Sequence, residues 1–343
     1  MAQRRDRSTG RPTLEAVAAR AGVGRGTVSR VVNGSSQVSD RARDAVLRAI
    51  DDLGYVPNRA ARSLVTRRTD CIALVVSEPE DRVFSEPFFA WVVRGVGAEI
   101  AGTDFQLWLA MITASTDRER LGRQLTDQHV DGAMLLSLHG DDLLPRMLED
   151  RGLPTVLGGR PTGFTPTCYV DVDNHAGARL AVDHLVARGR RAIATIAGPQ
   201  DMLAGVARLE GYRDALRRAG LDGPDDLVAY GQFDERSGRE AMEGLLARHG
   251  HIDAVFTASD PMAFGAMRAI RQAGLRVPDD IAVVGFDGSP AAAASEPPLT
   301  TVDQPAEAMG HHMARLLLAR IERRPVDRPA VILVPDLVVR AST

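Results

Sequence analysis

From Cys71 onward, short apolar runs alternate with longer segments of helical periodicity, and no other feature restricts the fold as strongly. The pattern predicts strands over residues 72–76, 105–110, 132–136, 154–158, 192–198, 253–258 and 281–286, and helices over 117–128, 174–188, 207–219, 235–249 and 261–273. Strands that alternate regularly with helices form parallel sheets with helices on both faces. The number of strands suits two sheets better than one. Ligands in this architecture bind beyond the carboxyl ends of the strands.

Length and composition exclude several classes of protein. A chain of 343 residues with 44% hydrophobic residues suits two or three globular domains with sizeable cores. The sequence shows neither the apolar segment of a secretory signal nor an apolar run long enough to cross a membrane. Cys71 and Cys168 each lie in an apolar run, which predicts buried thiols rather than a disulfide or a metal site. These features predict a cytoplasmic protein with no membrane partner and no cofactor.

Charge is distributed unevenly along the chain. Residues 1–68 hold fourteen arginines and six acidic residues, a net charge of +8, whereas the remainder holds 28 arginines and 39 acidic residues, a net charge of −11. A small basic segment joined to a larger acidic one predicts an amino-terminal region that binds a polyanion.

The basic segment contains three short helical patterns. Thr13 is placed to cap the first, a turn over 22–26 precedes the second, and Ser39 is placed to cap the third, which ends at Leu53. The second helix should bury three valines and expose Arg25, Gly26, Ser29 and Arg30. The alternative is that the two exposed arginines only keep the surface of the helix solvated. The order of helix, glycine-bearing turn, helix and supporting helix is typical of a helix-turn-helix, whose second helix offers its first side chains to the DNA major groove.

Polar, charged segments flank these helices. Residues 1–12 are predicted to be disordered. After Pro57, Asn58 is placed to cap one more short helix in an arginine-rich stretch that suits contact with phosphates. Leu64 is a lone large apolar residue among these charges, so it either contacts the DNA or docks on the neighbouring domain.

Several segments occur in the order found in one family of regulators. They include TLEAVAARAGVGRGTVSRVVNG, VSDRARDAVLRAIDDLGYVPNRAARSL, HLVARGRRAIATIAGP, DAVFTASDPMAFGAMRAI and VPDDIAVVGFDG. Together they resemble, nearly end to end, the lac-repressor family of transcription regulators, also called the galactose-repressor family. The resemblance implies an α/β fold class, with a small all-α helix-turn-helix head followed by a two-subdomain body like the type I periplasmic binding proteins.

The same resemblance implies domain boundaries. The head would span 13–57 and the hinge helix 58–68. The body would span 69–343, with its first subdomain formed by about 69–170 and 301–330, and its second by about 171–300 and 331–343.

The implied function is that of a repressor. Its affinity for double-stranded operator DNA would be controlled allosterically by a small molecule, a sugar or sugar derivative being favoured, bound in the cleft of the body. The family works as homodimers, and some members add a carboxyl-terminal helix that forms tetramers. This sequence stops at Thr343 without a heptad pattern, so a dimer is expected.

For DNA contact, the resemblance assigns backbone-contacting roles to four polar residues: Thr13, Thr27, Asn33 and Ser39. Helix capping alone would also explain the hydroxyl residues, and both roles can coexist because a helix amino terminus receives a phosphate. Gly24 stands where the family usually has serine. The base-reading pair is Arg25 and Gly26, of which only arginine can bind guanine, so readout should depend on Arg25 and Arg30. Ser29, Asn58 and Leu64 complete the predicted surface.

For the effector, the resemblance assigns ligand contact to Arg208 and Asp287, expected to face each other across the cleft. An ordinary salt bridge and a turn aspartate are the alternatives. Phe88 and Phe233 match positions that stack on ligand rings, whereas Phe89 and Trp91 are expected in the core. Three further candidates are Ser259, where relatives carry asparagine, and, more weakly, Asp173 and Met202.

Two other classes of protein fit less well. A solute-binding protein of transport would share the body but would carry a signal peptide and no basic head. A sugar-processing enzyme would need a catalytic constellation, yet the eight histidines are scattered without metal-ligand spacing. The nucleophile elbow and the phosphate-binding loop are also missing from the sequence.

Leu64→Ala should weaken operator binding and reduce DNA bending while leaving the melting temperature of the body unchanged. The family's hinge helices enter the minor groove and insert a leucine at this matching position, where unstacking one base step costs a few kcal/mol that the bend offsets. A bending assay run beside a thermal melt measures both effects. A leucine docked on the neighbouring domain would give the opposite result, a lower melting temperature with unchanged bending.

Overall fold

The computed structural model describes residues 12–32, 37–55, 68–112, 115–221 and 223–343. These residues form two compact units, Met1–Thr69 and Asp70–Thr343. The predicted disordered tail, almost all of the hinge helix, and Asn33, Asn58 and Leu64 lie outside the described residues.

The described part of the first unit contains three helices: α1 (Leu14–Ala21), α2 (Arg25–Val32) and α3 (Asp40–Leu53). Val17, Val28 and Val46, one from each helix, are fully buried at the centre of the unit. Helix α2 begins at Arg25 rather than after the predicted 22–26 turn, because the carbonyl of Gly24 already accepts from the amides of its first turn. The glycine at the family's serine position therefore occupies the N-cap.

The caps of α1 and α3 differ. The Thr13 hydroxyl accepts a hydrogen bond from the amide of Ala16 at 3.3 Å, as predicted for an N-cap. Ser39 occupies the N-cap position of α3, but its side chain makes no capping hydrogen bond, so that part of the prediction is wrong.

The second unit contains two six-stranded sheets. The first, in the order β11-β5-β4-β3-β1-β2, is wholly parallel. Its strands are β1 (Cys71–Val76), β2 (Gln106–Met111), β3 (Gly132–Leu136), β4 (Thr155–Gly158), β5 (Tyr169–Val172) and β11 (Ala330–Leu333). The second, in the order β12-β10-β9-β8-β6-β7, is parallel except for the β10–β12 pair. Its strands are β6 (Ile193–Ala197), β7 (Val228–Tyr230), β8 (Ala254–Thr257), β9 (Ala282–Asp287), β10 (Thr300–Asp303) and β12 (Asp336–Val338).

Helices cover both sheets. In chain order they are α4 (Glu80–Ser85), α5 (Pro87–Ile100), α6 (Ser115–Gln124), α7 (Leu144–Asp150), α8 (Asn174–Ala187), α9 (Leu203–Arg218), α10 (Glu235–Arg248), α11 (Asp260–Gln272), α12 (Pro290–Ala294) and α13 (Ala306–Ile321). The predicted helix over 117–128 is instead α6 followed by a π-helical turn, Leu125–His129. None of the helices in the described part of the chain is long and apolar enough to cross a membrane.

The chain crosses between the two subdomains three times, after β5, after β10 and after β11. Strand β10 pairs with β9 in the second sheet, so the second crossing follows Asp303 instead of preceding residue 301. Strand β11 pairs with β5 in the first sheet, so the third crossing follows Leu333 instead of residue 330. The predicted boundaries are therefore displaced by a few residues, because these short strands were not recognised in the sequence.

Each sheet is buried between its helices. Strands β1, β3, β4, β6 and β8 are buried along their whole length, as expected of parallel strands covered on both faces. Cys71 and Cys168 are buried and form no disulfide.

Helices α5 and α13 pack closely on the first sheet. An ideal Cβ added at Gly95 would lie 2.0 Å from the carbonyl oxygen of Glu307, so this contact requires glycine.

Gly95→Ala should lower the free energy of unfolding by about 1–3 kcal/mol or more, because the added methyl group forces α5 and α13 apart. Gly97→Ala is the matched control on the same helix, since a Cβ there meets no atom within 4 Å. That control should be neutral or stabilising by up to about 1 kcal/mol through helix propensity. Denaturant titration of the full chain measures both, and equal stability of the two variants would contradict the close packing.

Candidate effector cleft and DNA-binding surface

A cavity lies between the two subdomains, at the carboxyl ends of the strands of both sheets. The space between its lining residues amounts to about 780 Å³, part of which is open to solvent. The first subdomain contributes Arg82, Glu86, Phe88, Arg160 and Asp171, and the second contributes Asn174, Met202, Arg208, Phe233 and Asp287, with Gln304 at the second crossing. This is the cleft that the sequence analysis predicted for the effector.

Arg208 of α9 is buried in the wall formed by the second subdomain. Its Nε donates to Oδ1 of Asn174 at 2.8 Å, and its Nη1 donates to the carbonyl of Ala258 at 2.5 Å. The guanidinium lies 3.6 Å from the centre of the Phe286 ring, in cation–π geometry. Burial lowers the pKa of Arg208 from its ordinary value, which is so high that the side chain stays charged.

Asp287 stands beside Arg208 at the end of β9. Its Oδ1 lies 3.6 Å from Nη1 of Arg208 and accepts a hydrogen bond from Nε2 of Gln304 at 2.7 Å. Burial raises the pKa of Asp287 well above its ordinary value, against the opposing effect of Arg208. The expectation that the two residues face each other across the cleft is wrong, because α9 and β9 both belong to the second subdomain. They form one wall together.

The opposite wall contains charged residues that the sequence analysis missed. Nε of Arg160 lies 2.7 Å from Oδ2 of Asp171. This ion pair joins the ends of β4 and β5. Arg82 of α4 contacts Glu86 at 2.6 Å. Arg82 lies within α4, Glu86 separates α4 from α5, Arg160 follows β4 and Asp171 lies within β5, so no common sequence pattern marked them.

Phe233 and Phe88 both line the cavity. Phe233 has a left-handed backbone with φ of 61°, and its ring packs against Gly198, where a Cβ would lie 2.4 Å from the ring. Phe88 packs edge-to-face against Phe89, with ring centres 5.3 Å apart. Phe89 is buried in the core, as expected, but also reaches the cavity, whereas Trp91 packs half-buried against the core of the first sheet.

Two predicted ligand residues do not line the cavity. Ser259 is buried at the N-cap of α11, where its hydroxyl accepts from the amide of Met262 at 3.3 Å. Asp173 is the N-cap of α8, and its carboxylate accepts from the amide of Ala176 at 2.9 Å. The helix amide groups already occupy one acceptor site of each side chain, and ligand contact by Ser259 and Asp173 stays a prediction. Asp171 and Asn174, on either side of Asp173 in the chain, line the cavity instead.

The described part of the first unit exposes some of the predicted DNA-contacting side chains, and Ser29, which was expected on the exposed face of α2, is not among them. Arg25, Gly26 and Arg30 are exposed on α2, whereas Thr27 and Ser29 are half-buried. Nε of Arg25 lies 3.2 Å from Oε1 of Glu15, with both side chains exposed. An exposed pair of this kind contributes little to stability, so Arg25 can exchange its partner at small cost. Thr13 and Ser39 are exposed at the amino termini of α1 and α3.

Comparison with known proteins decides the family. Residues 13–58 match the bacterial regulatory proteins of the lacI family, and residues 182–343 match the periplasmic binding protein-like domain. The chain is 56% identical over 334 residues to the HTH-type transcriptional regulator CelR of Thermobifida fusca, with 97% of this chain and 98% of the relative covered. The chain belongs to the lacI family.

Other members of the family are similar over the same length. The ribose operon repressor of Escherichia coli strain K12 is 34% identical, with 96% of this chain and 99% of the relative covered. A solved CelR–cellobiose complex is 53% identical with a TM-score of 0.78, covering 97% of this chain and all of the other. The lac repressor dimer bound to operator and an anti-inducer is 28% identical with a TM-score of 0.84, covering 97% and 99%.

These similarities extend from the helix-turn-helix to the end of the body. This lacI-family protein is therefore a DNA-binding regulator of transcription and not an enzyme. Within the described residues, no group of three or more His, Cys, Asp or Glu side chains is arranged to hold a metal ion.

Arg30→Ala should weaken binding to the preferred operator by about 1–3 kcal/mol and reduce discrimination against unrelated duplexes, because arginine can bind guanine bidentately. Arg94→Ala is the matched control, since it removes the same charge from a 67% exposed side chain of the body. Fluorescence anisotropy with an operator selected in vitro and a scrambled duplex measures both. Equal affinity of Arg30→Ala and the wild type would remove Arg30 from the readout.

Proposed function

We propose that this regulator is a homodimeric repressor, acting in the cytoplasm, whose operator affinity is set by a neutral oligosaccharide bound in the cleft. Cellobiose is the first candidate. The proposal assigns ligand contact to Arg208, Asp287, Phe88, Phe233 and Met202, all of which line the cavity. Asp171, Asn174 and Gln304 join them in place of Ser259 and Asp173.

The pairing of charges around the cavity carries this proposal. Among its described lining residues, each arginine has a carboxylate within 4 Å: Arg82 with Glu86, Arg160 with Asp171, and Arg208 with Asp287. An anionic ligand would need a cation free to bind it, and a cationic ligand would need a free carboxylate. Paired guanidinium and carboxylate groups instead offer fixed donors and acceptors, which suit the hydroxyl groups of a neutral sugar.

The apolar lining complements these polar pairs. Phe88 and Phe233 present aromatic surface, and Met202 and Met309 present flexible apolar side chains. A sugar ring has one face of C–H groups and a rim of hydroxyl groups, so it needs both kinds of surface. Ligand sites that are mostly apolar with a few placed polar groups are the usual pattern.

The relatives favour a particular sugar. The 56% identical relative is named CelR, and a solved structure of a CelR protein is described as a cellobiose complex. The less similar ribose operon repressor indicates that the same family architecture serves other sugars. Cellobiose therefore comes before ribose and the free monosaccharides as the ligand to test.

Allosteric control follows from the position of the cavity. A ligand that contacts both walls favours the arrangement of the subdomains in which both contacts are made. It can change operator affinity only through this difference in affinity between the two arrangements. The heads of a dimer then change their spacing relative to two half-sites on the DNA.

Arg208→Ala and Asp287→Ala should each weaken cellobiose binding by about 1.5–3 kcal/mol, roughly ten- to hundredfold, because each removes a charged hydrogen-bonding group. Operator affinity without sugar should be unchanged. Arg213→Ala is the matched control on α9, since its side chain is 39% exposed and paired with Asp225. Isothermal titration of the full chain with cellobiose, glucose, ribose and glucose 6-phosphate measures sugar binding, and anisotropy measures operator binding.

Tighter binding of glucose 6-phosphate than of cellobiose would contradict the neutral-ligand proposal. Wild-type affinity for cellobiose in either cleft variant would assign that residue to the scaffold. Should Arg208→Ala fail to fold, Gln304→Ala provides a milder change. It removes only the side-chain amide that donates a hydrogen bond to Asp287.

A further inference from the structure

An ionic cluster borders the cavity and includes residues from both subdomains. We call Glu78, Arg82, Glu86, His139 and Asp201 the cleft cluster. His139 follows β3 in the first subdomain, and Asp201 follows β6 in the second. Nδ1 of His139 lies 3.0 Å from Oδ2 of Asp201, and its Nε2 lies 3.1 Å from Oε1 of Glu78. One imidazole ring therefore bridges the two subdomains.

The geometry of this bridge determines the charge of the ring. A carboxylate can only accept hydrogen bonds, and both ring nitrogens of His139 face carboxylate oxygens. A neutral imidazole has one N–H group and can satisfy one of the two. Both contacts are hydrogen bonds only when His139 is the doubly protonated imidazolium.

The bridge continues into the wall of the cavity. Oε1 of Glu78 also lies 2.7 Å from Nη1 of Arg82, and the side chain of Glu78 is only 4% exposed. Nε of Arg82 contacts Glu86 at 2.6 Å, and its guanidinium lies 5.2 Å from the centre of the Phe233 ring in the second subdomain. The charge state of His139 is thus connected through Glu78 to an arginine that lines the cavity.

A backbone contact fixes the position of Asp201. The amide of Gly140 donates to the carbonyl of Asp201 at 2.7 Å, also between the subdomains. This hydrogen bond does not depend on pH. It holds the Asp201 carboxylate beside His139. The part of this link that responds to protonation is the contact between the His139 ring and the Asp201 carboxylate.

We propose that His139 is a positioning residue whose imidazolium joins Glu78 to Asp201 across the cleft, so that closure of the cleft on the effector takes up a proton. The proposal rests on the proposed function for the identity of the effector.

Other charged groups near His139 do not replace this bridge. Glu78 and Arg82 face it from the segment after β1, and Asp201 faces it from the loop before α9. On its own loop, Asp142 is engaged by Nε of Arg118 at 3.0 Å and by the amide of Leu144 at 2.9 Å.

The direction of the pH effect follows from these contacts. The hydrogen bond with Glu78 raises the pKa of His139 above its ordinary value, burial opposes the rise, and Asp201 adds to it. Opening the cleft removes the Asp201 contribution, so the pKa of His139 is higher in the closed form than in the open form. The stabilisation of the closed form by this proton is therefore fully present below the pKa that His139 has in the open form. It is lost as pH rises through the pKa that His139 has in the closed form. Sugar affinity should therefore fall as pH rises through the interval between the open-form and closed-form pKa of His139.

Isothermal titration of the full chain with cellobiose between pH 6.5 and 9 tests the proposal. Affinity should fall about three- to tenfold over this range, as expected for at most one proton taken up. Titrations in two buffers of different ionisation enthalpy should show proton uptake near neutral pH. His139→Gln and Asp201→Asn should bind with little pH dependence. His249→Gln is the matched control, since His249 contacts Asp226 and does not line the cavity.

A wild-type affinity that does not change with pH, or an unchanged pH dependence in His139→Gln, would overturn the proposal while the proposed function stands. Failure of cellobiose to bind at every pH would instead contradict the proposed function. In that case, histidine NMR of the full chain measures the pKa of His139 and so tests the bridge directly. The His139 signal is the one that is missing from the spectrum of His139→Gln. A His139 pKa that is not raised, or that does not change in Asp201→Asn, would overturn the proposal. Asp201 has a 53% exposed side chain, so Asp201→Asn should fold as the wild type does.

Discussion

The buried guanidinium of Arg208 is the interaction on which the second subdomain's side of the cleft depends. It joins α9 to the start of α8, to the segment after β8 and to the end of β9 through Asn174, Ala258 and Asp287. A buried charge is tolerated only when its hydrogen-bonding capacity is matched, so each of these elements is held at a fixed distance from the others. This wall of the cavity is therefore rigid before any ligand arrives.

The two walls are each electrostatically complete, and the contacts between them are few. Arg160 with Asp171 on one side, and Arg208 with Asp287 on the other, neutralise their charges within one subdomain. Opening the cleft therefore leaves these pairs intact. The free energy that distinguishes the open from the closed form comes from the ligand, from the contacts made by Asp201 and from the Arg82 guanidinium over the Phe233 ring. A small free-energy difference between the open and closed forms is suited to regulation, because a ligand of modest affinity can reverse which form is favoured.

The sequence predicted elements more reliably than contacts. The helices over 174–188, 207–219, 235–249 and 261–273 and the buried strands were recognised because their apolar spacing is local, whereas α5 and α13 were not among the predicted helices. The strands β5, β7, β10, β11 and β12 were not, since each has only three or four residues and most of them lie towards the sheet edges. Beside the cleft, Ser259 and Asp173 cap helices, and the sequence could not separate this role from ligand contact because a polar residue before a helix is suited to both. His139 and its partners lie 61 and 62 residues apart, so no local pattern could connect them.

The path of the chain also bears on its synthesis. Strand β11 pairs with β5, β12 pairs with β10, and the hydroxyl of Ser342 donates to the carbonyl of Val283 inside the second sheet. Residues from the last part of the sequence thus complete both sheets. A nascent chain can fold its head soon after it leaves the ribosome, but neither half of the body is complete until β11, β12 and Ser342 have been synthesised. A partial product would hold a DNA-binding head without a sensor to control it. The incomplete sheets of such a product would also expose unpaired strand edges, which pair readily with other chains.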